Sequence, residues 1–231
     1  MTGLFAADVS VLEDERLYQL AYSLVTEERR RKVDAFRFQK DRRLCLGAEL
    51  LLRAALRKQF DMTELPEVLP GSQEKPYFAD PAAPRFSLSH SGTWVLCAVS
   101  DREVGCDVET VSPIDLKLAE RFYTAGEYET IMREPEEERQ KTLFRFWTLK
   151  ESFLKVTGLG LSGLPLNAFE ITLGTPPTVR QSVDEAGYFF REYETIPGCC
   201  CALCVRNEEA GAELRFCSLR EELEREKEKK S

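Results

Sequence analysis

Asp107 and Glu109 stand two apart in Val104-Gly-Cys-Asp-Val-Glu109, a run that predicts a β-strand. Strand geometry carries both carboxylates to one face, roughly 7 Å apart. Such a pair can hold a hard divalent cation such as Mg²⁺, which takes one or two carboxylates and fills its octahedron with waters and phosphate oxygens. The same spacing also suits a solvated surface.

Further along, Phe146-Trp-Thr-Leu-Lys150-Glu151-Ser-Phe-Leu-Lys155 lies in a segment, 136 to 157, with helical periodicity. At about 100° per residue, Leu143, Phe144, Phe146, Trp147, Leu149, Phe153, Leu154 and Val156 fill most of the circumference and leave a narrow polar arc at Arg145, Thr148 and Ser152. A helix so apolar is buried. Lys150 and Glu151 project among aromatics, where a charge is unfavourable unless it is paired or bound to an ion. Two readings stay open: an i, i+4 salt bridge from Glu151 to Lys155, or a third carboxylate with a phosphate-neutralising lysine.

A second polar set suits an anion. Lys75-Pro-Tyr-Phe is followed by Phe86-Ser-Leu-Ser89-His90-Ser91-Gly92, which offers hydroxyls, an imidazole and strand-end N–H groups. Between 27 and 43, eight basic residues, Arg31 among them, stand against four acids, so this segment is +4 and the remainder of the −8 chain is −12. Taken alone, such a run is a solvated helix face. Thr124-Ala-Gly-Glu127 is a capping box at a helix start, which gives Glu127 a structural explanation. Gly158-Leu-Gly-Leu-Ser-Gly163 has the letters of a dinucleotide fingerprint but follows a helix instead of opening one, so it reads as a terminating turn.

These groups need elements to position them. Residues 11 to 60 read as helical, with Thr26 as an N-cap and a stripe at Leu44, Ala48, Leu51, Leu52, Ala55 and Leu56. Prolines at 66, 70, 76, 81 and 84 mark a loop. Strands are predicted over 86–89, 94–99 and 104–109, then helices over 114–122, 125–133 and 136–157. The last third reads as an antiparallel meander with strands near 168–173, 187–194, 199–205 and 213–217, and 221–230 as a frayed helix. The class is therefore α+β, with two α/β halves, 1–103 and 104–231. Gly92 and Gly198 each precede a cysteine-containing apolar strand, a faint repeat.

Composition excludes much else. One histidine rules out sites that need two or three imidazoles. The acidic balance argues against general nucleic-acid binding, and no run approaches a membrane span. Residues 1–8 lack the basic start of a signal peptide, so a cytoplasmic chain with eight reduced cysteines is expected. Strand period places Cys200 and Cys204 on one face and Cys199 and Cys201 on the other, which favours buried small hydrophobes over zinc.

As a set, Lys75-Pro-Tyr-Phe, Phe86 to Gly92, G-x-D-x-E at 105–109, Phe122-Tyr-Thr-Ala-Gly-Glu127-Tyr and W-x-x-K-E-x-x-x-K at 147–155 resemble the large, Sfp-like 4′-phosphopantetheinyl transferases. The resemblance covers residues 28 to 170 directly. It implies a monomer of two similar halves related by a pseudo-twofold, antiparallel sheets packed with helices, and coenzyme A with Mg²⁺ in the cleft between them. The implied reaction moves the phosphopantetheine arm to a serine of an apo acyl or peptidyl carrier protein and releases adenosine 3′,5′-bisphosphate. Carried over, Asp107, Glu109 and Glu151 are the metal site and Lys155 faces the pyrophosphate. Lys75, Ser89, His90 and, from the basic segment, Arg31 hold nucleotide phosphates. Lys150 is a further candidate cofactor contact. Glu151 is the first candidate for the base and Glu127 the second, so Glu151→Gln is expected to abolish transfer and Glu127→Gln to affect it only mildly. Leu44 replaces the Ser or Thr frequent in relatives, which removes a phosphate contact there. A coenzyme A-binding module without turnover and a metal-dependent nucleotide diphosphate hydrolase are the alternatives.

Overall fold

Helix boundaries follow the caps available in the sequence. In the structure, a computed structural model that describes residues 1–71 and 75–229, Thr26 accepts from the Arg29 amide to start α2 (Glu27–Ala35), after α1 (Glu15–Leu24). Both hydrogen bonds of the capping box at Thr124 and Glu127 are present. Residues 72–74, inside the predicted loop, and Lys230, at the end of the predicted tail helix, lie outside the described residues.

The first strand, β1 (Gly3–Asp8), precedes these helices, and α3 (Gln39–Phe60) follows them. Two short strands, β2 (Val68–Leu69) and β3 (Tyr77–Phe78), lead to β4 (Arg85–Ser91), β5 (Trp94–Ser100) and β6 (Val104–Thr110). Then come α4 (Lys117–Phe122), α5 (Ala125–Arg133), α6 (Glu136–Thr157) and α7 (Gly160–Gly163). The chain ends with β7 (Glu170–Thr172), β8 (Thr178–Arg180), β9 (Tyr188–Tyr193), β10 (Cys199–Arg206), β11 (Leu214–Phe216) and α8 (Leu219–Lys229).

One sheet has the order β11-β1-β5-β4 and another β6-β10-β9. Leu4, Ala6, Leu96 and Ala98 of the first pack against Val104, Cys106, Val108, Cys201 and Leu203 of the second, so the inner faces of the two sheets form one core. Helix α3 covers the outer face of the first sheet through Leu46, Leu51 and Ala55. Helix α6 covers the second through Phe146, Leu149, Phe153 and Leu154, none more than 1 % exposed. Each such side chain contributes roughly 1.5–3 kcal/mol by leaving water. The cysteines divide as period 2 requires: Cys200 and Cys204 join the α6 core, while Cys201 packs in the inter-sheet core with Cys199 against it.

The expected meander of the last third does not form as one unit. Strands β9 and β10 extend the β6 sheet and β7–β8 is a separate hairpin, but β11 runs parallel to β1 in the first sheet. Helix α8 follows it and buries Leu219 and Leu223 in the α3 core, with Glu222 paired to Arg57. Residues 214–229, grouped above with the second half, therefore pack with the first. Even the narrow polar arc of α6 is enclosed, as a buried helix requires: Thr148 and Ser152 are buried, and Arg145 is held by Glu192.

Gly105 is the closest point between α6 and its sheet. A Cβ there would lie 2.0 Å from the Ser152 carbonyl oxygen and 2.7 Å from the Val156 nitrogen. Both neighbours are helix backbone, so relief requires moving α6 as a body. Gly105→Ala is expected to destabilise the fold by at least the 1–3 kcal/mol typical of overpacking. Urea unfolding checks this; a midpoint equal to that of the wild type would disprove the close approach.

Candidate active site

The contact at Gly105 sets the register of α6 over β6, and the chemistry follows from it. Lys155, one turn beyond Glu151, reaches back to β6 and donates to Asp107 Oδ1 at 2.7 Å and to the Cys106 carbonyl at 3.1 Å. The i, i+4 alternative is thus not realised, since the ammonium lies on Asp107. Asp107 is 3 % exposed; its Oδ1 also accepts from Ser89 Oγ at 2.6 Å, and its Oδ2 is buried without a partner. Glu109 Oε2 accepts from Ser91 Oγ at 2.7 Å. Glu151 makes no hydrogen bond or ion pair among the described residues.

Electrostatics here are those of excess negative charge. Burial, then Asp107 and Glu109, push the Glu151 carboxyl up to about 7, with Lys155 opposing. Glu109 is raised too, chiefly by burial, against its Ser91 hydrogen bond. Burial disfavours charge on Lys155, yet Asp107, Cys106 and Glu151 together outweigh it and hold the lysine above its ordinary range. Three carboxylates facing one ammonium leave a site that lacks positive charge.

A cavity of about 610 Å³ opens over this group, lined by Asp107, Glu109, Glu151, Lys155 and His90 and, from α2, by Glu28, Arg29 and Lys32, where Lys32 pairs with Glu28. An adjoining cavity of about 480 Å³ shares Glu151 and Lys155 and adds Lys75. His90 reaches solvent at the cavity mouth while its ring is crowded by protein on the other side. Burial by its surroundings, with Lys155 nearby, lowers its pKa, so the free imidazole is neutral at pH 7. Lys75 donates to the Val104 carbonyl beside Glu103, and burial lowers its pKa.

Four expected site residues are placed otherwise. Arg31 is three-quarters exposed and paired with Glu27, whereas Arg29 and Lys32 line the cavity. Arg29 is directed there by Glu49, a carboxylate of α3 only 2 % exposed that also accepts from the Thr26 amide and hydroxyl. Lys150 is fully buried away from the cavity; it donates to the Leu166 and Phe169 carbonyls at 2.7 and 2.8 Å and pairs with Glu127 at 2.8 Å. Glu127 is consumed by that pair, by its cap and by the Ile171 amide, which excludes it as a base. Ser89 is 8 % exposed and its hydroxyl serves Asp107 and the Val108 amide, which leaves its backbone as the group a phosphate would meet. Leu44 is buried in the core and offers the cavity nothing. In the glycine-rich run Gly158 has φ +72° and caps α6 as a terminating turn requires, but Gly160–Gly163 goes on to form the short helix α7.

A carboxylate cluster in a cavity that cationic side chains also line is the kind of site that handles polyphosphates. Comparison with known proteins agrees. The pattern of the 4′-phosphopantetheinyl transferase superfamily matches residues 103–204, and that of the 4′-phosphopantetheinyl transferase N-terminal region matches residues 13–102. The 4′-phosphopantetheinyl transferase psf-1 of Bacillus pumilus is 34% identical over 209 residues, 88% of this chain and 89% of the relative. The transferase Sfp of Bacillus subtilis strain 168 is 30% identical over 203 residues, 86% and 90% respectively. A solved structure of Thermotoga maritima holo-[acyl-carrier-protein] synthase is 24% identical, covers 46% of this chain and 64% of its own, and superposes with a TM-score of 0.39. The chain belongs to the 4′-phosphopantetheinyl transferase family, in its Sfp-like branch. It is an enzyme of that class.

Proposed function

We propose that this protein transfers the 4′-phosphopantetheine arm of coenzyme A to a serine of an apo acyl or peptidyl carrier protein and releases adenosine 3′,5′-bisphosphate. The observation that carries the reading is the convergence of Asp107, Glu109, Glu151 and Lys155 under a cavity that Arg29, Lys32 and His90 also line. Two halves related by an approximate twofold frame that cleft in this reading. In support, α3 and α6 are both 22 residues long, and the middle strands β5 and β10 both follow a glycine with positive φ, Gly92 and Gly198. The eight cysteines are free, as a monomer working in the reducing cytoplasm would have them.

Among the described residues no three histidine, cysteine or acidic side chains are gathered tightly enough to hold a metal ion as they stand. The chemistry of the donors fits Mg²⁺ nonetheless. Asp107 Oδ2 is a buried oxygen without a partner, and Glu151 is raised by burial and by its acidic neighbours; Mg²⁺ needs only one or two such carboxylates. Asp107, Glu109 and Glu151 would hold it, and bound there it would neutralise the pyrophosphate oxygens. Arg29, Lys32, Lys75 and His90 bind the nucleotide phosphates. Lys155 stabilises charge that develops on the pyrophosphate as the bond to the 5′-phosphate of the nucleotide breaks. The carrier serine oxygen forms the new bond to phosphorus, and its proton passes to Glu151, directly or through water.

Incubation with Mg²⁺, coenzyme A and an apo carrier domain, read by mass spectrometry, tests this. A pantetheinylated serine is expected. Unchanged components would mean a binding module, and cleaved coenzyme A with unmodified carrier a hydrolase. A second expectation concerns protons: a bound phosphate raises the depressed His90 pKa, so coenzyme A binding takes up protons and tightens as pH falls through the bound-state value. Calorimetry in buffers of different ionisation enthalpy measures the uptake. A His90→Ala variant that takes up as many protons would remove His90 from the phosphate site.

A further inference from the structure

The two sheets are not joined by a backbone ladder at β4 and β6; both strands are edges. Their junction is made by side chains instead. Ser87, Ser89 and Ser91, on one face of β4 by strand period, accept from the amides of Cys106, Val108 and Thr110 at 3.1, 3.4 and 3.0 Å. These hydroxyls take the place of the carbonyls that the outward N–H groups of β6 would otherwise lack. Each serine also has one proton to donate. Ser89 gives its proton to Asp107 and Ser91 gives its own to Glu109 Oε2 at 2.7 Å, while no side-chain carboxylate receives that of Ser87.

We infer that Ser91 is a positioning residue for Glu109: its hydroxyl, fixed by the Thr110 amide, holds the carboxylate in its metal-ready orientation from the opposite sheet. The inference rests on the metal site proposed above. A hydroxyl that accepts from the amide has its remaining proton directed, so Glu109 is oriented by a rigid strand and not by its own flexible side chain. Partners behind ligating carboxylates typically matter 10–100-fold in metal affinity. Ser87 is the internal control, since it makes the same bond to the β6 backbone but contacts no carboxylate.

Mn²⁺ titrated into the full chain with coenzyme A present, with free Mn²⁺ counted by electron paramagnetic resonance, tests this without reading turnover. Ser91→Ala is expected to weaken Mn²⁺ binding by about tenfold or more, and Ser91→Thr, which keeps the hydroxyl, to restore most of it. Ser87→Ala is expected to lower the urea midpoint as much as Ser91→Ala while leaving Mn²⁺ affinity at the wild-type value. Wild-type affinity in Ser91→Ala, or equal weakening in Ser87→Ala, would reduce the serine row to a structural seam. If the wild type itself bound no Mn²⁺, the metal reading would fall first and this inference with it.

Discussion

Glu127→Gln is expected to lower unfolding free energy by about 3–5 kcal/mol, the cost of leaving one member of a buried ion pair without its partner. Lys150 is fully buried, with its ammonium 4.2 Å from the Phe169 ring centroid and bonded to two backbone carbonyls. Burial lowers its pKa and Glu127 is what opposes that. A glutamine keeps an acceptor for the Ile171 amide but not the charge. With Glu127 gone the folded-state pKa of Lys150 drops further below the 10.5 of a free lysine, so between those values the unfolded chain holds more protons and stability rises with pH. The deficit measured by urea unfolding should therefore shrink as pH climbs toward 10.5. Adding Lys150→Met, an apolar chain of similar length, should recover part of the loss. A double variant no more stable than Glu127→Gln would show that the charge is not the issue. Turnover per folded molecule should stay within a few-fold of wild type, because Glu127 does not line the cavity.

That turnover agrees with the mild effect on transfer expected of a capping residue, whereas the loss of stability has no sign in the capping box, and there sequence reading stops. The capping box is local: Thr124 and Glu127 are one turn apart, and their geometry is written in that spacing. Lys150 lies on another helix, and nothing in T-x-x-E announces a lysine across a packing interface. The same boundary separates other successes from failures. Asp107 with Glu109, and Glu151 with Lys155, were legible because strand and helix periods place each pair on one face; that the two faces meet was implied only by resemblance, and physically it depends on Gly105 admitting α6. Arg29 was hidden behind Arg31 because α2 has a single buried residue, Val33, and its orientation is decided by Glu49 of α3. Strand β1 was missed because it is buried on both faces, Phe5 and Ala7 toward α3, Leu4 and Ala6 toward the second sheet, and so carries no alternation. Strand β11 could not be placed because its partner lies at the other end of the chain.

Glu151→Gln separates chemistry from folding in the opposite direction. Turnover is expected to fall by about 10²–10⁴-fold, the range for loss of a positioned general base, with the metal contribution lost in addition. Stability should move the other way. A carboxylate whose folded-state pKa is about 7 against 4.5 for a free glutamate binds a proton more readily in the native chain than in the unfolded one. Wild-type stability, taken relative to the glutamine variant, then declines as pH rises from 4.5 to about 7 and stays at its lower value above that. In metal-free buffer at pH 8 the inactive variant should unfold at higher urea than the active enzyme. Added Mg²⁺ should stabilise the wild type through binding to the folded state and the variant less, which narrows or reverses the gap. The two measurements together are stringent, because damage to packing would lower activity and stability alike. A Glu151→Gln variant that unfolded earlier than wild type without metal would make this carboxylate part of the scaffold; a variant that is stabler and inert identifies it as a charge held against the preference of the fold, for the reaction.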